Sequence, residues 1–102
     1  MSDQVKEQKT WSVYIIQTRL NTLYTGITTD VTRRFKEHQG CSGSGAKYLK
    51  GKGPLALKWQ ERVGDKSRAL KLEYRIKQLS RQRKLQIIAG QLSLDSLLDS
   101  SG

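Results

Sequence analysis

The hydrophobic positions of this chain change period several times, and each change marks an element. From Trp11 to Thr18 they alternate, with Trp11, Val13 and Ile15 on one face and Ser12, Tyr14 and Ile16 on the other. Both faces are largely apolar, which predicts a strand covered on two sides. Arg19-Leu20-Asn21-Thr22 reads as a turn, and Leu23 to Thr28, rich in β-branched and aromatic residues, as a second strand. The two strands should form an antiparallel hairpin. Tyr14 and Tyr24 are an even number of residues apart, so direct or two-residue-offset pairing puts both on one face.

The period then becomes helical. Asp30 is a suitable N-cap for a helix over residues 31–39, with Val31, Phe35 and His38 on its inner stripe, Arg34 bordering that stripe, and Gly40 as its stop. Residues 40–54 form a long Gly/Ser/Lys loop, a type of segment that is often functional. Residues 55–63 alternate Leu55, Leu57 and Trp59 against Ala56, Lys58 and Gln60, as a third strand does, and Pro54 suits its start. Asp65 can cap a second helix over 66–79, in which Ala69, Leu72, Ile76 and Leu79 recur at helical spacing. After a break near Ser80, a third helix over 81–89 should turn Leu85, Ile88 and Ala89 inward and end at Gly90. Residues 91–102 read as a Ser/Leu/Asp tail. The predicted fold is α/β of the α+β kind: a small three-stranded, mainly antiparallel sheet flanked by helices, in the order β-β-α-β-α-α. The domain would span 11–90, between a flexible segment at 1–10 and the tail.

Composition narrows the function. A chain of 102 residues suits one domain with a modest core. No apolar stretch approaches the ~18 residues of a membrane-spanning helix, and residues 1–10 lack the pattern of a signal peptide, so the cytoplasm is the expected location and no membrane partner is implied. Cys41 is the only cysteine and His38 the only histidine, which excludes an internal disulfide and a conventional zinc site. A metal here would rest on carboxylate oxygens, which points to magnesium or manganese. Of the formal charge of +10, residues 11–90 hold 17 basic and five acidic groups, a net of +12, so the excess lies in the folded part. Nucleic acid is the favoured partner, because phosphates neutralised by Lys and Arg release counterions. The simpler alternative is that the charge serves solubility.

Five residues are candidates for chemistry. Glu73 falls on the apolar stripe of the second helix, where a carboxylate is costly unless it is paired or binds a cation. A salt bridge to Arg34 or another arginine is the plain alternative to a metal ligand. Tyr14 and Tyr24 could exchange a proton with water, Arg34 could hold two phosphate oxygens in its planar fork, and His38 could position water or relay a proton. Taken singly, each tyrosine is more readily a packing residue, and His38 a histidine satisfied by a carbonyl.

Residues 11–90 resemble a GIY-YIG nuclease domain in its small stand-alone form. Ser12-Val13-Tyr14 matches the first motif with its tyrosine kept, and Tyr24-Thr25-Gly26 the second with threonine for isoleucine. Arg34 lies ten residues after the second tyrosine, His38 one turn later, and Glu73 on the later helix. The resemblance implies cleavage of a phosphodiester with one divalent metal ion held by the glutamate. It further implies that a tyrosine acts as base for water, that arginine meets the transition-state charge, and that the products carry 5′-phosphate and 3′-hydroxyl. The implied substrate is DNA, with RNA left open and branched or damaged structures and DNA repair as the context. Two positions depart from the family: Asn21 is the sole asparagine, so the asparagine many members carry after the glutamate helix is absent or replaced, for example by Gln82, and Ile27 stands where some repair-type members have lysine. No attached substrate-binding domain is recognisable, so specificity is expected to be low or supplied by a protein partner. A catalytically idle nucleic-acid-binding module on the same fold is the alternative function.

The Gly/Ser/Lys loop lacks the Gly-Lys-Ser/Thr ending of a P-loop. Lys47, Tyr48, Lys50 and Lys52 instead combine charge with an aromatic ring, as in a clamp on a nucleic-acid backbone, with Tyr48 available to stack on a base. Arg33, Arg81, Arg83 and Lys84 extend the candidate binding surface, although solvated helix faces would look the same.

Overall fold

The structure, a computed structural model, describes residues 10–39, 49 and 52–99. Its elements are β1 (Trp11–Gln17), β2 (Leu23–Thr28), α1 (Val31–His38), β3 (Ala56–Gly64), α2 (Lys66–Lys77), α3 (Arg81–Ile88) and α4 (Leu94–Asp99). The strands form one antiparallel sheet in the order β2-β1-β3, so β1 is central, as its two apolar faces predict. Val13 and Ile15 face one way and pack with Ala69, Leu72 and Ile76 of α2, Ile87 of α3 and Leu94 of α4. Tyr14 and Ile16 face the other way, with Val31 of α1, Leu49 and Leu55. The domain therefore has three layers: α1, the sheet, and α2 to α4. Among the described residues no helix is long and apolar enough to cross a membrane.

Short polar side chains set the element ends. The β1–β2 turn is built on Thr18, whose Oγ1 accepts from the backbone N–H of Leu20 (3.2 Å) and Thr22 (3.3 Å) and shares a 2.7 Å hydrogen bond with Thr22 Oγ1. Asn21 takes the left-handed backbone that such a turn needs, at φ 67°. The N-caps Asp30, Asp65 and Ser80 accept from the N–H of Arg33, Arg68 and Arg83 at 3.0, 2.8 and 3.3 Å, each satisfying one otherwise unpaired amide of a first helical turn. Gly90, at φ 78°, lies just past the end of α3 and donates to Ile87 O at 3.0 Å. Helix α1 closes on the Gln39 cap, and Gly40, its expected stop, lies outside the described residues.

Three findings differ from the sequence pattern. Strict alternation puts Leu57 and Trp59 on one face. In the sheet, Ile16 pairs with Leu57 and the adjacent Ile15 with Trp59, so Lys58 is the extra residue of a β-bulge. Leu57 joins the α1 side and Trp59 the α2 side. In α3, Ile87 is the buried residue, while Leu85 is 43% exposed and Ala89 is exposed too. The helix reads Arg-Gln-Arg-Lys-Leu-Gln-Ile-Ile, too uniformly polar for its own pattern to phase it, and docking of the Ile87-Ile88 pair decides the inward face. The segment after Gly90 carries a fourth helix. Leu94, Leu97 and Leu98 recur at helical spacing and pack into the α2 side of the core. Arg75 Nη1 donates to Leu97 O at 2.8 Å, and Arg68 pairs with the exposed Asp95 at 2.9 Å; an exposed pair of that kind contributes about 1 kcal/mol at most.

Candidate active site

The hairpin register assembles the first part of the site. Tyr14 pairs with Gly26 and Ile16 with Tyr24, so the two tyrosines sit diagonally on the α1 face of the sheet with ring centroids 6.4 Å apart. His38, the last residue of α1, turns its ring inward and completes a triangle, 5.8 Å from Tyr14 and 5.6 Å from Tyr24. Both Tyr14 and His38 are almost fully buried, at 2% and 4% exposure. Buried polar groups need partners, and these two have each other: Tyr14 Oη lies 2.8 Å from His38 Nε2.

Gly26 explains itself here. A Cβ at this position would stand 2.6 Å from Tyr14 Cζ and 3.1 Å from its Cε1. The tyrosine ring lies across the glycine, and no other residue leaves room for it. The Tyr-Thr-Gly tripeptide held this signal, because the tyrosine spacing already allowed Tyr14 to face Gly26 across the hairpin.

Arg34 stands one turn before His38. Its Nη1 is 2.8 Å from Glu37 Oε1, with both side chains partly buried, and the guanidinium also hydrogen-bonds the Tyr14 phenol. Since a guanidinium only donates, the Tyr14 oxygen accepts from Arg34, and with His38 in its Nδ1–H tautomer the phenol proton points to Nε2. Glu37 was not among the sequence candidates, although its i+3 spacing from Arg34 is a helical contact distance.

Burial and the proximity of Tyr24 push the Tyr14 pKa up to about 12, with Glu73 adding to the rise and Arg34 opposing it. His38 is held below the ordinary histidine value by burial and then by the Arg34 charge, against a smaller pull from Glu37. Arg34 is raised, chiefly by its bond to Glu37. The resting state at neutral pH is a protonated phenol bonded to a neutral imidazole.

Glu73 lies on α2, with 21% of its side chain exposed. The ion pair it makes is with the largely exposed Lys77, one turn on, at 3.2 Å. Its charge still acts on Tyr14. Among the described residues no group of three or more His, Cys, Asp and Glu side chains could enclose a metal ion. A single, partly exposed carboxylate fits a hard divalent cation whose remaining ligands are water and substrate phosphate.

Of the candidate binding residues, Arg33, Arg81 and Arg83 are exposed and Lys84 is partly buried. Arg81 Nη1 donates to Asn21 O at 2.7 Å, tying the start of α3 to the β1–β2 turn. The backbone of Lys52 meets the same turn, its carbonyl accepting from Arg19 N–H at 2.9 Å. Lys47, Tyr48 and Lys50 lie outside the described residues. The register adds two residues that the sequence pattern had not singled out: Gln60 sits opposite Tyr14, and Arg62 opposite Ser12, on the site face.

Comparison with known proteins gives the family. The family described as the GIY-YIG catalytic domain matches residues 10–86. UPF0213 protein YhbQ of Salmonella arizonae is 52% identical over 90 residues, covering 88% of each chain. A UPF0213 protein of an Enterobacter species is 53% identical over 90 residues, covering 88% of this chain and 86% of its own. Among solved structures, the solution NMR structure of UPF0213 protein BH0048 from Bacillus halodurans is similar, with a TM-score of 0.51 and 42% identity, covering 78% of this chain and 83% of that one.

Proposed function

The chain belongs to the family of GIY-YIG catalytic domains, and from that premise we propose that it is a divalent-metal-dependent endonuclease hydrolysing phosphodiester bonds in DNA, with branched or damaged structures as its candidate substrates. The observation that carries this reading is the buried Tyr14–His38 hydrogen bond with Arg34 on the same phenol, at the positions where the family resemblance requires chemistry.

The arrangement favours Tyr14 over Tyr24 as the group that handles the proton of water. A phenol with a pKa near 12 is not an anion at neutral pH, so it works as a relay. Water attacks phosphorus while its proton passes to the Tyr14 oxygen, and the phenol proton passes to His38 Nε2. The P–O3′ bond breaks, the 3′ oxygen takes a proton from solvent, and a 5′-phosphate remains. Neutral His38 is the acceptor, and its depressed pKa keeps it neutral beforehand. Arg34 presents a planar fork to the phosphoryl oxygens as negative charge develops, and Glu37 holds the fork in place. Glu73 would hold one Mg2+ or Mn2+, exchanging Lys77 for it. Bound there, the ion supplies positive charge that polarises the phosphoryl group and acidifies water. Phosphoryl transfer depends mainly on such positioning and charge neutralisation.

The test is incubation with single-stranded, duplex and branched DNA, with and without magnesium or manganese, beside Glu73→Ala. Metal-dependent nicking is expected, abolished by the substitution while binding persists. No cleavage of any substrate, or equal cleavage by the variant, sinks the reading. The second reading, an idle binding module, draws on Asn21. That sole asparagine sits in the β1–β2 turn, where its Oδ1 accepts from Gln17, so it does not supply the asparagine that many family members carry after the glutamate helix. Tight binding without cleavage under every metal condition would select it.

A further inference from the structure

Arg33 on α1 and Arg62 on β3 are exposed, and neither guanidinium has a hydrogen-bond or ion-pair partner among the described residues. They nevertheless line the same groove, a space of about 420 Å³ shared with Thr10, Thr29 and Asp30. The groove continues into one of about 300 Å³ that adds Ser12, Thr32 and Gln60. Two unpaired guanidiniums brought together by separate elements repel one another, and an anion between them removes that repulsion. The surrounding serine and threonine hydroxyls are donors suited to the same anion.

Register fixes the groove relative to the reacting centre. Gln60 faces Tyr14 and Arg62 faces Ser12, so the Arg62 row lies two residues along the sheet, about 7 Å away. That is comparable to the step from one phosphate to the next along a nucleic-acid strand. Two acids share the groove: Asp30, whose Oδ1 accepts from the Arg33 N–H as the helix cap, lines both parts, and Glu61 lines the second.

We propose that this groove is a second phosphate subsite, in which Arg62 and Arg33 hold the phosphodiester adjoining the one at the Tyr14–His38 centre. The choice of ligand rests on the nuclease reading above. Arg62 and Arg33 hold the strand in register and leave the proton relay to Tyr14 and His38.

Fluorescence anisotropy of a labelled single-stranded DNA oligonucleotide, titrated without metal over a series of salt concentrations, tests this. Arg62→Gln and Arg33→Gln are each expected to weaken binding several-fold and to reduce the salt slope by about 0.7, the amount one phosphate contact contributes on a single strand. Arg62→Lys should restore most of the slope, and Lys71→Gln, on the exposed face of α2, should leave it unchanged. An oligonucleotide with a neutral methylphosphonate next to the mapped cut should bind the unaltered chain and Arg62→Gln alike. Circular dichroism confirms that each variant is folded. Unaltered slopes in both glutamine variants, or methylphosphonate and Arg62→Gln effects that simply add, would overturn the subsite. Absence of salt-dependent DNA binding by the unaltered chain would overturn the nuclease reading together with it.

Discussion

The two faces of the sheet are built from alternate residues of the same strands, yet they differ in kind. On the side of α2 to α4, the buried cluster is Val13, Ile15, Ala69, Leu72, Ile76, Ile87 and Leu94, all of them apolar. On the side of α1, the smaller cluster of Tyr14, Ile16, Val31, Leu49 and Leu55 adjoins buried His38, with Arg34 and Glu37 at its rim. The first face stabilises the domain by removing apolar surface from water, about 1.5–3 kcal/mol for each fully buried aliphatic side chain. The second places polar groups out of water and recovers the cost only through their bonds to one another. Stability and the proposed chemistry are thus segregated across a single strand's thickness. One polar atom crosses that division: Thr25 Oγ1, on the face of Ile15, is buried without a hydrogen-bond partner among the described residues.

Paired substitutions on the two faces test the segregation most severely. Tyr14→Phe should reduce cleavage by about 10²–10⁴-fold, the usual contribution of a positioned proton-transfer group, while the chain still folds. Leu72→Ala should cost about 2–5 kcal/mol of stability, read from the denaturation midpoint, yet leave kcat of the folded fraction unchanged. A Leu72→Ala protein that is folded but inactive would break the division between faces.

A smaller effect comes from Gly26→Ala, which should affect both properties at once. The added methyl displaces the Tyr14 ring, and overpacking of this kind costs about 1–3 kcal/mol. Cleavage should fall with it, because the phenol leaves His38. Normal activity and an unchanged melting temperature would show that the ring has room to spare.

The least effect is expected from pH. The folded-state pKa of His38 lies below its unfolded value, so the folded chain binds fewer protons as the pH falls. The stability linked to neutral His38 is complete above the ordinary value of about 6.5 and is lost as pH falls through the lower folded-state value. The acid limb of the cleavage profile should likewise lie below 6.5. For Tyr14 the sign is opposite: its contribution is present below pH 10 and lost as pH rises towards 12. A denaturation series on the unaltered chain and His38→Gln checks the acid side, where the variant should lose part of the dependence.

Much of this was legible because it is local. Asp30 and Asp65 announce their helices through side-chain bonds spanning three residues. The strand pattern of β1 needed no partner to show that both faces are covered. The even spacing of Tyr14 and Tyr24 placed them together once a hairpin was assumed. What stayed hidden depends on pairing between distant segments. The proposed choice of Tyr14 over Tyr24 comes from a bond spanning 24 residues. The burial of Ile87 in place of Leu85 follows from how α3 docks, since its own sequence has almost no apolar face. The docking of α4 packs Leu94 into the core and brings Arg75 to Leu97 O across 22 residues.

The bulge at Lys58 has an electrostatic consequence. Beyond it, Gln60 and Arg62 face the site, and Glu61 faces the α2 side. Were β3 regular from Leu57 onward, Ser12 would oppose Glu61, and Arg62 would turn away. One surplus residue in an edge strand therefore decides that Arg62, in place of Glu61, stands opposite Ser12 on the face that carries Tyr14, without changing any side chain.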